Sequence, residues 1–297
     1  MLKTISDLLR NIPDLFIREN EAMALHTTFR IGGPARLFLD AHSASAALSA
    51  IDVLGGFGIT PLVLGNGSNL VVSDDGIDGV VLKLSCNKVS VSGNKIFAEA
   101  GATLSSVASI AQRRGLGGFE FAHGIPGSVG GALVMNAGAY GGEISQVLTK
   151  STYVCSDGIF TIPLEEHKFG YRTGIYKQNP AFTVLSAEFS LHEEDPDVIS
   201  AKMRELAERR RDKQPLEFPS AGSVFKRPEG HFAGALIEQC GLKGFAIGGA
   251  EVSEKHAGFI INRGAATSND VKKLVEHIKN IVFKETGITL ECEICFV

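Results

Sequence analysis

Tryptophan is absent from this chain of 297 residues, and proline is sparse at 10 residues. The chain also lacks an excess of charge of one sign, because 29 Lys and Arg stand against 33 Asp and Glu, which leaves a net charge of −4. Proteins that bind nucleic acids need clustered basic residues to neutralise phosphates, so we expect no nucleic-acid partner. The basic run Arg209-Arg210-Arg211 is interpreted as the solvated C-terminal end of a helix.

The N-terminal segment lacks the unbroken apolar stretch of a signal peptide, which favours a cytoplasmic protein. One uncharged span, residues 121–142, is long enough to cross a bilayer. It carries seven glycines and a proline, however, and is predicted to be buried loop and strand. We therefore expect no association with a membrane.

Cysteine is also scarce: the five residues are an odd number without the spacing of a disulfide framework, which is typical of reduced thiols in a cytosol. Cys292 and Cys295 form a C-x-x-C pattern in the terminal segment. Alternation along a strand places these two side chains on opposite faces, and no second pair accompanies them. We expect no metal site, and no histidine is expected to carry a covalent cofactor.

Glycine, by contrast, is abundant at 34 residues, and it separates short runs rich in β-branched residues between residues 60 and 190. Those runs predict strands joined by turns. Helical spacing is found at residues 4–17, 45–54, 104–115 and 198–211, and again from Thr267 to Gly287, where Thr267 and Asp270 resemble a capping box. A last strand is predicted at 288–297. The mixture predicts an α+β fold.

The acidic stretch at 192–197 resembles a linker and divides the chain. We predict an N-terminal helix over residues 1–20, a first domain over 21–197 and a second domain over 198–297. The length of the chain also favours two domains over one.

Two glycine-rich loops are candidates for a binding site. The first, Gly-Asn-Gly-Ser-Asn at 65–69, follows an apolar strand and exposes backbone N–H groups that can cradle a phosphate. It is neither a dinucleotide fingerprint, because Leu70 replaces the third glycine and no helix follows, nor a phosphate-binding loop with G-K-[ST]. A tight connection without function is the alternative. The second cluster, at 124–142, favours binding, because two amide-rich loops in one domain can clasp a long dinucleotide through backbone contacts.

Eight segments in chain order resemble the motifs of the UDP-N-acetylenolpyruvoylglucosamine reductase family, in its shorter second type. They are TTFRIGGPA (27–35), GNGSNLVV (65–72), AGATL (100–104), GIPGSVGGALVMNAGAYG (124–141), GYRTGIYK (170–177), SAGSVFKRP (220–228), EKHAGFIINRGAAT (254–267) and LECEICFV (290–297). The resemblance covers nearly the whole chain. It departs from the family pattern at Gly174, where a serine is common, and at Cys292 and Cys295, where Pro and Arg are usual.

The resemblance implies an FAD-binding domain of the vanillyl-alcohol-oxidase (PCMH) kind, made of two α/β subdomains over 21–197. A smaller α/β substrate-binding domain follows at 198–297, and its last strand contributes to the active site. It also implies the reaction of a UDP-N-acetylmuramate dehydrogenase. NADPH reduces non-covalently bound FAD, which reduces the enolpyruvyl ether of UDP-N-acetylglucosamine to UDP-N-acetylmuramate. This is a cytoplasmic oxidoreductase step of peptidoglycan synthesis, which serves cell-wall biogenesis, cell shape and cell division.

Three catalytic residues are implied by the resemblance: Arg172, Ser223 and Glu293. Hydride transfer to the vinyl group leaves negative charge beside a carboxylate, which calls for a fixed cation, and the neighbouring carbon then needs a proton donor. The family register makes Ser223 that donor, and an arginine can hold a carboxylate by two parallel bonds. Each has an alternative interpretation without catalytic function: Ser223 as a turn serine, Arg172 as a surface arginine at the end of a strand, and Glu293 as an exposed glutamate on a strand. The last interpretation applies equally to Glu291.

The same register assigns the binding residues. For FAD these are Gly65, Asn66, Gly67, Ser68, Asn69, Gly101, Ile125, Pro126, Gly127, Ser128, Gly131, Asn136 and Gly138. For the substrate they are Lys226, Arg227, His256 and Asn262, and Arg263 is a further candidate for the diphosphate. Two other classes stay open at this point, an FAD-dependent oxidase of a sugar or alcohol with the same fold and a catalytically silent nucleotide-binding protein. The oxidase would consume oxygen and would not need Ser223.

Overall fold

The computed structural model of the protein describes residues 2–297, which form eight α-helices and nineteen strands. The helices are α1 Leu2–Leu9, α2 Ala44–Gly56, α3 Leu104–Arg113, α4 Val129–Met135, α5 Ile175–Gln178, α6 Pro196–Lys213, α7 Ala233–Gln239 and α8 Ser268–Thr286. The strands are β1 Leu15–Ala22, β2 Pro34–Ala41, β3 Leu62–Leu64, β4 Leu70–Val71, β5 Ile77–Leu84, β6 Val89–Ser92, β7 Lys95–Glu99, β8 Leu116–Gly117, β9 Gly138–Ala139, β10 Gly142–Glu143, β11 Leu148–Cys155, β12 Gly158–Pro163, β13 Thr183–Ser190, β14 His192–Glu193, β15 Ser220–Ser223, β16 Ala246–Ile247, β17 Ala250–Val252, β18 Phe259–Asn262 and β19 Cys295–Phe296.

The chain divides into two compact units, and each is built from three separate segments. The first unit comprises the described part of Met1–Glu19, Leu37–Asn66 and Gly79–Arg209. The second comprises Asn20–Arg36, Gly67–Asp78 and Arg210–Val297. Two early segments thus pack with the C-terminal part of the chain, although they fall within the range 21–197 predicted for the first domain. The functional assignment of the two predicted domains stays a prediction.

The first unit contains a five-stranded antiparallel sheet in the order β12-β11-β13-β7-β6. Its strands β11 and β13 are largely buried, and α3 and α4 pack close to β7. A further sheet has the order β1-β2-β5-β3, in which β3 and β5 run parallel. One hydrophobic core, which includes Leu39, Leu82, Ile96, Leu133 and Phe189, lies within this unit.

The second unit has its own hydrophobic core and a four-stranded sheet in the order β15-β18-β17-β16. Helix α8 supplies much of that core, because Val271, Leu274, Val275, Ile278 and Val282 repeat with helical spacing and are all buried. Strand β19 pairs in parallel with β4, so that Cys295 lies opposite Leu70. The end of the chain is thereby joined to the segment that follows the first glycine loop.

The N-terminal helix predicted over 1–20 is wrong beyond Leu9. Helix α1 ends there, and β1 occupies Leu15–Ala22. Proline disfavours a helical conformation at the residue before it, and Pro13 therefore interrupts the pattern after Ile12. Asp14 follows in a left-handed conformation with φ of 59°, which redirects the chain into the strand.

Two of the predicted helices have the caps that their sequences indicate. Thr103 accepts a hydrogen bond from the Ser106 amide at the start of α3, and Gly115 follows that helix with φ of 64°. Thr267 and Asp270 form the predicted capping box of α8, which Gly287 closes in the left-handed region. The helices predicted at 45–54 and 198–211 are also confirmed as α2 and α6.

The interpretation of residues 121–142 as loop and strand is wrong for Val129–Met135, which form α4. Ser128 caps this helix and accepts a hydrogen bond from the Gly131 amide at 3.4 Å. The predicted terminal strand at 288–297 is reduced to a bridge at Cys292 and to β19. Within residues 2–297, no helix combines the length and the apolar character that a bilayer crossing requires.

Candidate functional site

The first glycine loop, residues 65–69, begins directly after β3, and its first two residues lie against the second loop within the first unit. The Asn66 side chain donates from Nδ2 to the carbonyl oxygen of Pro126 at 3.2 Å. A Cβ atom at Gly65 would lie 2.2 Å from Oγ of Ser128, so only glycine allows this approach. The structure therefore brings together Gly65 and Asn66 with Pro126 and Ser128, as the sequence predicts.

The amides of this loop are available to a ligand. Among residues 2–297, the backbone N–H groups of Asn66, Gly67 and Ser68 have no hydrogen-bond acceptor. Buried or half-buried amides are normally satisfied, and a polar ligand is one way to satisfy them. Gly67 has φ of 60° and approaches the carbonyl of His26. Backbone conformation and local packing therefore also explain why this position is a glycine.

The two adjacent glycines at the start of α4 differ in their surroundings. Gly130 is buried, and a Cβ atom there would lie 3.1 Å from Cβ of Ala100. Gly131 is exposed, and the nearest atom to such a Cβ is Oγ of Ser128 at 3.6 Å. Packing explains the first glycine and not the second. A glycine in a helix costs about 1 kcal/mol relative to alanine, and close approach of a ligand is the remaining physical reason for it.

Other predicted cofactor residues have partners within the protein. Gly101 lies so close to the β5 end that a Cβ atom would be 2.4 Å from the carbonyl oxygen of Leu84. Asn136 is buried in a left-handed conformation with φ of 40°, accepts from the Ser145 amide at 3.0 Å and donates to the carbonyl of Gly170 at 3.3 Å. These contacts give both residues a structural function, and their contact with a cofactor stays a prediction.

The remaining residues of the second loop connect it to the core of the first unit. The carbonyl of Gly127 accepts from the amide of Leu104 at 3.0 Å, and Ile125 packs against the first hydrophobic core. Gly138 approaches Gly142 so closely that a Cβ atom would lie 2.6 Å from its carbonyl oxygen. The loop is therefore held in one shape by its own unit.

Arg172 lies in a tight turn of the first unit. Gly170 and Thr173 exchange two backbone hydrogen bonds, of 3.1 and 3.3 Å, and Arg172 between them has φ of 56°. The left-handed region is uncommon for residues other than glycine and often marks a functional position. The half-buried guanidinium donates from Nη2 to the carbonyl of Gly138 at 3.2 Å. It is thus tied to the second loop, and is not the free surface arginine of the alternative interpretation.

Two residues next to Arg172 were missed by the sequence reasoning. Lys177 donates from Nζ to the carbonyl oxygen of Arg172 at 3.2 Å. Tyr171 is 54% exposed, and its ring centroid lies 5.4 Å from the Arg172 guanidinium carbon. Both belong to the segment GYRTGIYK. Their position in the same short motif as Arg172 is the feature of the sequence that could have identified them.

Ser223 and Glu293 lie on adjacent segments of the second unit. The amide of Glu293 donates to the carbonyl of Val224 at 2.7 Å, and Phe225 forms a bridge with Cys292. Ser223 ends β15 after Gly222, whose φ is 80°, and a register shift interrupts the pairing of this strand with β18. Its hydroxyl donates to the carbonyl of Phe225 at 3.2 Å. The two predicted catalytic residues of this unit are therefore neighbours in space.

The side chain of Glu293 is half-buried, whereas Leu290 and Ile294 of the same segment are buried. Asn69, the last residue of the first glycine loop, donates from Nδ2 to the backbone carbonyl of Glu293 at 3.1 Å. Glu291, by contrast, is exposed and pairs with Lys226 at 2.8 Å. The structure therefore distinguishes the two glutamates that the sequence left open.

The predicted substrate residues have different environments within the second unit. Lys226 is half-buried and ion-paired, and the exposed Arg227 lies with its guanidinium carbon 4.0 Å from the ring centroid of Phe232. Asn262 is buried: its Oδ1 accepts from two backbone amides and its Nδ2 donates to the carbonyl of Phe29 at 3.2 Å. Those hydrogen bonds hold the end of strand β18 in place. The binding of a substrate by Asn262 stays a prediction.

His256 is half-buried, and burial lowers the pKa of its imidazole below the ordinary value of 6.5. Nδ1 accepts a hydrogen bond from the amide of Gly258 at 3.1 Å. Since a neutral imidazole carries one proton, that proton resides on Nε2. At neutral pH this side chain is therefore a hydrogen-bond donor and not a cation.

Comparison with known proteins first defines the class. Residues 35–162, which contain both glycine loops, match the family model described as FAD binding domain. The amide of Asn66 and the open position at Gly131, both in the first unit, fit a cofactor held through its polar groups. The protein is an FAD-binding oxidoreductase.

The particular family follows from matches over almost the whole chain. Residues 214–297 match the model described as UDP-N-acetylenolpyruvoylglucosamine reductase, C-terminal domain. The chain belongs to the UDP-N-acetylenolpyruvoylglucosamine reductase family. The enzyme of that name from Clostridium novyi is 47% identical over 283 residues, which is 95% of this chain and 92% of the relative. The one from Caldanaerobacter subterraneus subsp. tengcongensis is 50% identical over 280 residues, 94% of this chain and 92% of the relative.

A solved structure of the reductase from Thermus caldophilus superposes with a TM-score of 0.82 and 33% identity. The match covers 95% of this chain and 99% of that one. The predicted family, the FAD-binding domain and the enzyme class are thereby confirmed, and the alternative of a sugar or alcohol oxidase is not favoured.

Proposed function

We propose that this protein is an NADPH-dependent flavoenzyme, a UDP-N-acetylmuramate dehydrogenase. It reduces the enolpyruvyl group of UDP-N-acetylglucosamine enolpyruvate and yields UDP-N-acetylmuramate. The observation that carries the proposal is the 47% identity to a reductase of this name over 95% of the chain. The match spans 92% of that relative as well.

When bound, FAD would supply the chemistry of hydride transfer between NADPH and the vinyl carbon of the substrate. The chain contributes binding and proton transfer. The free amide of Asn66 and the open position at Gly131, both in the first unit, support a cofactor held by main-chain contacts. We propose that the remaining predicted residues of the two loops maintain the backbone conformation that this binding requires.

Ser223 is proposed as the donor of the proton that completes the reduction. Ser223 follows Gly222 at the end of β15 and is half-buried, so that its hydroxyl can reach a ligand. A hydroxyl is a weak acid in water, but an enolate is basic enough to take a proton from a hydrogen-bonded hydroxyl. The Phe225 carbonyl that accepts from Ser223 orients its Oγ–H in the absence of a ligand.

Arg172 is proposed to hold the carboxylate of the enolpyruvyl group. Its guanidinium can form two parallel hydrogen bonds with a carboxylate and stays charged at every working pH. Glu293, whose backbone is bonded to both Asn69 and Val224, is proposed as the third catalytic residue. A glutamate beside a developing anion assists only if it carries a proton or polarises a donor, and we propose that function for it.

The diphosphate of the substrate calls for positive charge and hydrogen-bond donors. Lys226 and Arg227 supply the charge, and Arg263 is a third candidate. His256 is proposed to donate from Nε2, since its Nδ1 already accepts from Gly258. Asn262 is proposed to shape this region through the three hydrogen bonds that fix its amide group.

The product of this reaction is a precursor of peptidoglycan, so we propose a place in cell-wall biogenesis and, through it, in cell shape and division. The substrate is a soluble nucleotide sugar, which supports activity in the cytoplasm. The net charge of −4 supports the absence of a nucleic-acid partner.

An anaerobic absorbance titration tests the proposal. The purified protein is expected to be yellow, to be bleached by NADPH, and to regain its oxidised flavin spectrum when UDP-N-acetylglucosamine enolpyruvate is added. Recovery of the spectrum by that substrate at one equivalent supports the reductase. Recovery only on admission of oxygen, together with reduction by a sugar or alcohol, would instead identify an oxidase.

A further inference from the structure

Three buried polar side chains of the first unit form one chain of hydrogen bonds. They are Ser151 on β11, His167 at the end of a 3-10 helix over Leu164–His167, and Tyr176 on α5. Their exposed fractions are 1%, 0% and 2%. Ser151 Oγ lies 2.6 Å from Nε2 of His167 and 2.5 Å from Oη of Tyr176.

The direction of every bond in this chain is determined. Nδ1 of His167 faces the carbonyl oxygens of Pro163 and Leu164 at 2.9 and 3.2 Å. Carbonyls only accept, so Nδ1 carries the proton and Nε2 of the neutral ring is an acceptor. Ser151 must then donate to Nε2, and its oxygen accepts the proton of Tyr176. Burial favours the neutral forms, because it lowers the pKa of His167 and raises that of Tyr176 to about 12.

Aromatic rings surround these hydrogen bonds. The ring of Phe169 stacks on His167 with centroids 5.0 Å apart, and Tyr153 meets Tyr176 edge-on at 5.6 Å. In such surroundings a polar group without a partner is costly, whereas a fully satisfied network admits one arrangement of its members. The network thus fixes the relative positions of β11, the 3-10 helix and α5.

The segment between His167 and Tyr176 carries Arg172. One end of it is anchored by the His167 ring and the other by the Tyr176 hydroxyl, while the turn between Gly170 and Thr173 holds the left-handed backbone of Arg172. Phe169 also packs against this turn: a Cβ atom at Gly174 would lie 2.9 Å from Cδ1 of its ring. The ring that stacks on His167 therefore lies close to Gly174, the residue that follows the Arg172 turn.

We propose that Ser151, His167 and Tyr176 are positioning residues, whose hydrogen-bond chain holds the Arg172 turn in the geometry that its guanidinium needs. The proposal rests on the role proposed above for Arg172 in binding the substrate carboxylate. None of the three residues touches the reacting atoms in this mechanism, because all are enclosed within the first unit.

The test is Tyr176→Phe, which keeps the ring and removes the proton that starts the chain. Tyr153→Phe is the matched control, since it removes a hydroxyl from a contacting ring that lies outside the chain. Both half-reactions of the holoenzyme are followed by stopped-flow absorbance. In Tyr176→Phe, reoxidation of the reduced flavin by the enolpyruvyl substrate is expected to slow about fivefold to tenfold. Reduction by NADPH is expected to stay within about twofold, and the control is expected to match the parent protein in both steps.

Hydrogen exchange followed by mass spectrometry gives a readout that does not depend on the reaction. The peptide that covers 168–175 is expected to exchange faster in Tyr176→Phe and at the parent rate in Tyr153→Phe, while peptides of the β7 and β13 core are unchanged. Protection at 168–175 equal to that of the parent would overturn the proposal, as would an unaltered rate of reoxidation. Faster exchange throughout the first unit, with loss of FAD, would also overturn it, because the residue would then have a general structural role.

A second variant covers the case in which Tyr176→Phe does not fold. Ser151→Ala removes the middle hydroxyl and is expected to give the same local loss of protection and the same selective slowing. If the parent protein fails to reduce the substrate, the proposed function fails, and the exchange measurement alone still decides whether the chain holds the Arg172 turn.

Discussion

The backbone amide of Glu293 donates to the carbonyl oxygen of Val224 over 2.7 Å, which ties the glutamate to the residue that follows Ser223. A displacement of either segment moves the other, because the bond joins two main chains and not two flexible side chains. The relative position of the two proposed catalytic residues of the second unit is therefore a property of its backbone.

Replacing Ser223 by alanine tests the proton donor. The variant is expected to be reduced by NADPH at the parent rate and to be reoxidised by the enolpyruvyl substrate at least about 100-fold more slowly, since general acid catalysis contributes on that order. Stopped-flow absorbance at the flavin band measures both steps. Ser220→Ala, in the same strand, is the control and is expected to behave as the parent; equal slowing of both half-reactions in Ser223→Ala would remove Ser223 from its assigned role.

Arg172→Lys keeps the positive charge and removes the planar pair of donors. Loss of one charge-assisted hydrogen bond is worth about 1.5–3 kcal/mol, which corresponds to slowing of roughly 10-fold to 150-fold in the reoxidation step. Arg10→Lys, at an exposed ion pair with Glu19, serves as the matched control. Unchanged reoxidation in Arg172→Lys would show that the guanidinium contributes only charge.

The two glycines at the start of α4 give opposite predictions. Gly131→Leu adds a side chain at an exposed helix position, so the FAD-free protein is expected to be as stable as the parent or up to about 1 kcal/mol more stable. Its affinity for FAD is expected to fall about tenfold or more, because the side chain occupies the approach to the loop. Gly130→Ala is expected to destabilise the FAD-free protein, since its Cβ would press on Ala100.

Thermal unfolding without FAD and flavin fluorescence titration separate the two effects. A Gly131→Leu variant that binds FAD as tightly as the parent would exclude this end of α4 from the cofactor site. A Gly130→Ala variant with unaltered stability would show instead that the contact with Ala100 relaxes without cost.

Acid is expected to destabilise the protein through its buried imidazoles. Burial lowers the pKa of His167 and of His256 in the folded state, while the unfolded chain titrates near 6.5. Below pH 6.5 the unfolded state therefore binds more protons than the folded state, and the free energy of unfolding falls as the pH is lowered through the window below that value.

Urea unfolding at pH 7.5 and 5.5 measures this dependence above the range in which carboxylates titrate. His256→Asn is expected to lose part of the difference between the two pH values, because it removes one imidazole whose pKa is lowered by burial. A stability that rises toward pH 5.5 would contradict the assignment of neutral buried rings.

The elements that local chemistry specifies are those that the sequence predicted. Thr103 and Thr267 begin helices because their side chains satisfy amides of the first turn, and this requirement is visible in the letters themselves. Helix α4 was missed because two glycines in seven residues resemble a loop. Its stability comes from the Ser128 cap and from burial of Val129 and Leu133, which only the folded chain supplies.

For the candidate site, the sequence predicted which residues are involved but not their geometry. The resemblance supplied Arg172, Ser223 and Glu293. No local pattern indicates that Arg172 has a left-handed backbone or that its guanidinium reaches the carbonyl of Gly138. Such features depend on contacts between distant segments, as does the parallel pairing of β4 with β19.

The pairing of Leu70 with Cys295 has a consequence for biosynthesis. A ribosome makes the chain from its N-terminus, and domains generally fold as they emerge. Segment 67–78 of the second unit, which contains Leu70, leaves the ribosome more than 200 residues before Cys295. The pairing of β4 with β19 therefore forms only after most of the chain has been made, and until then Leu70 and Val71 lack their partner strand.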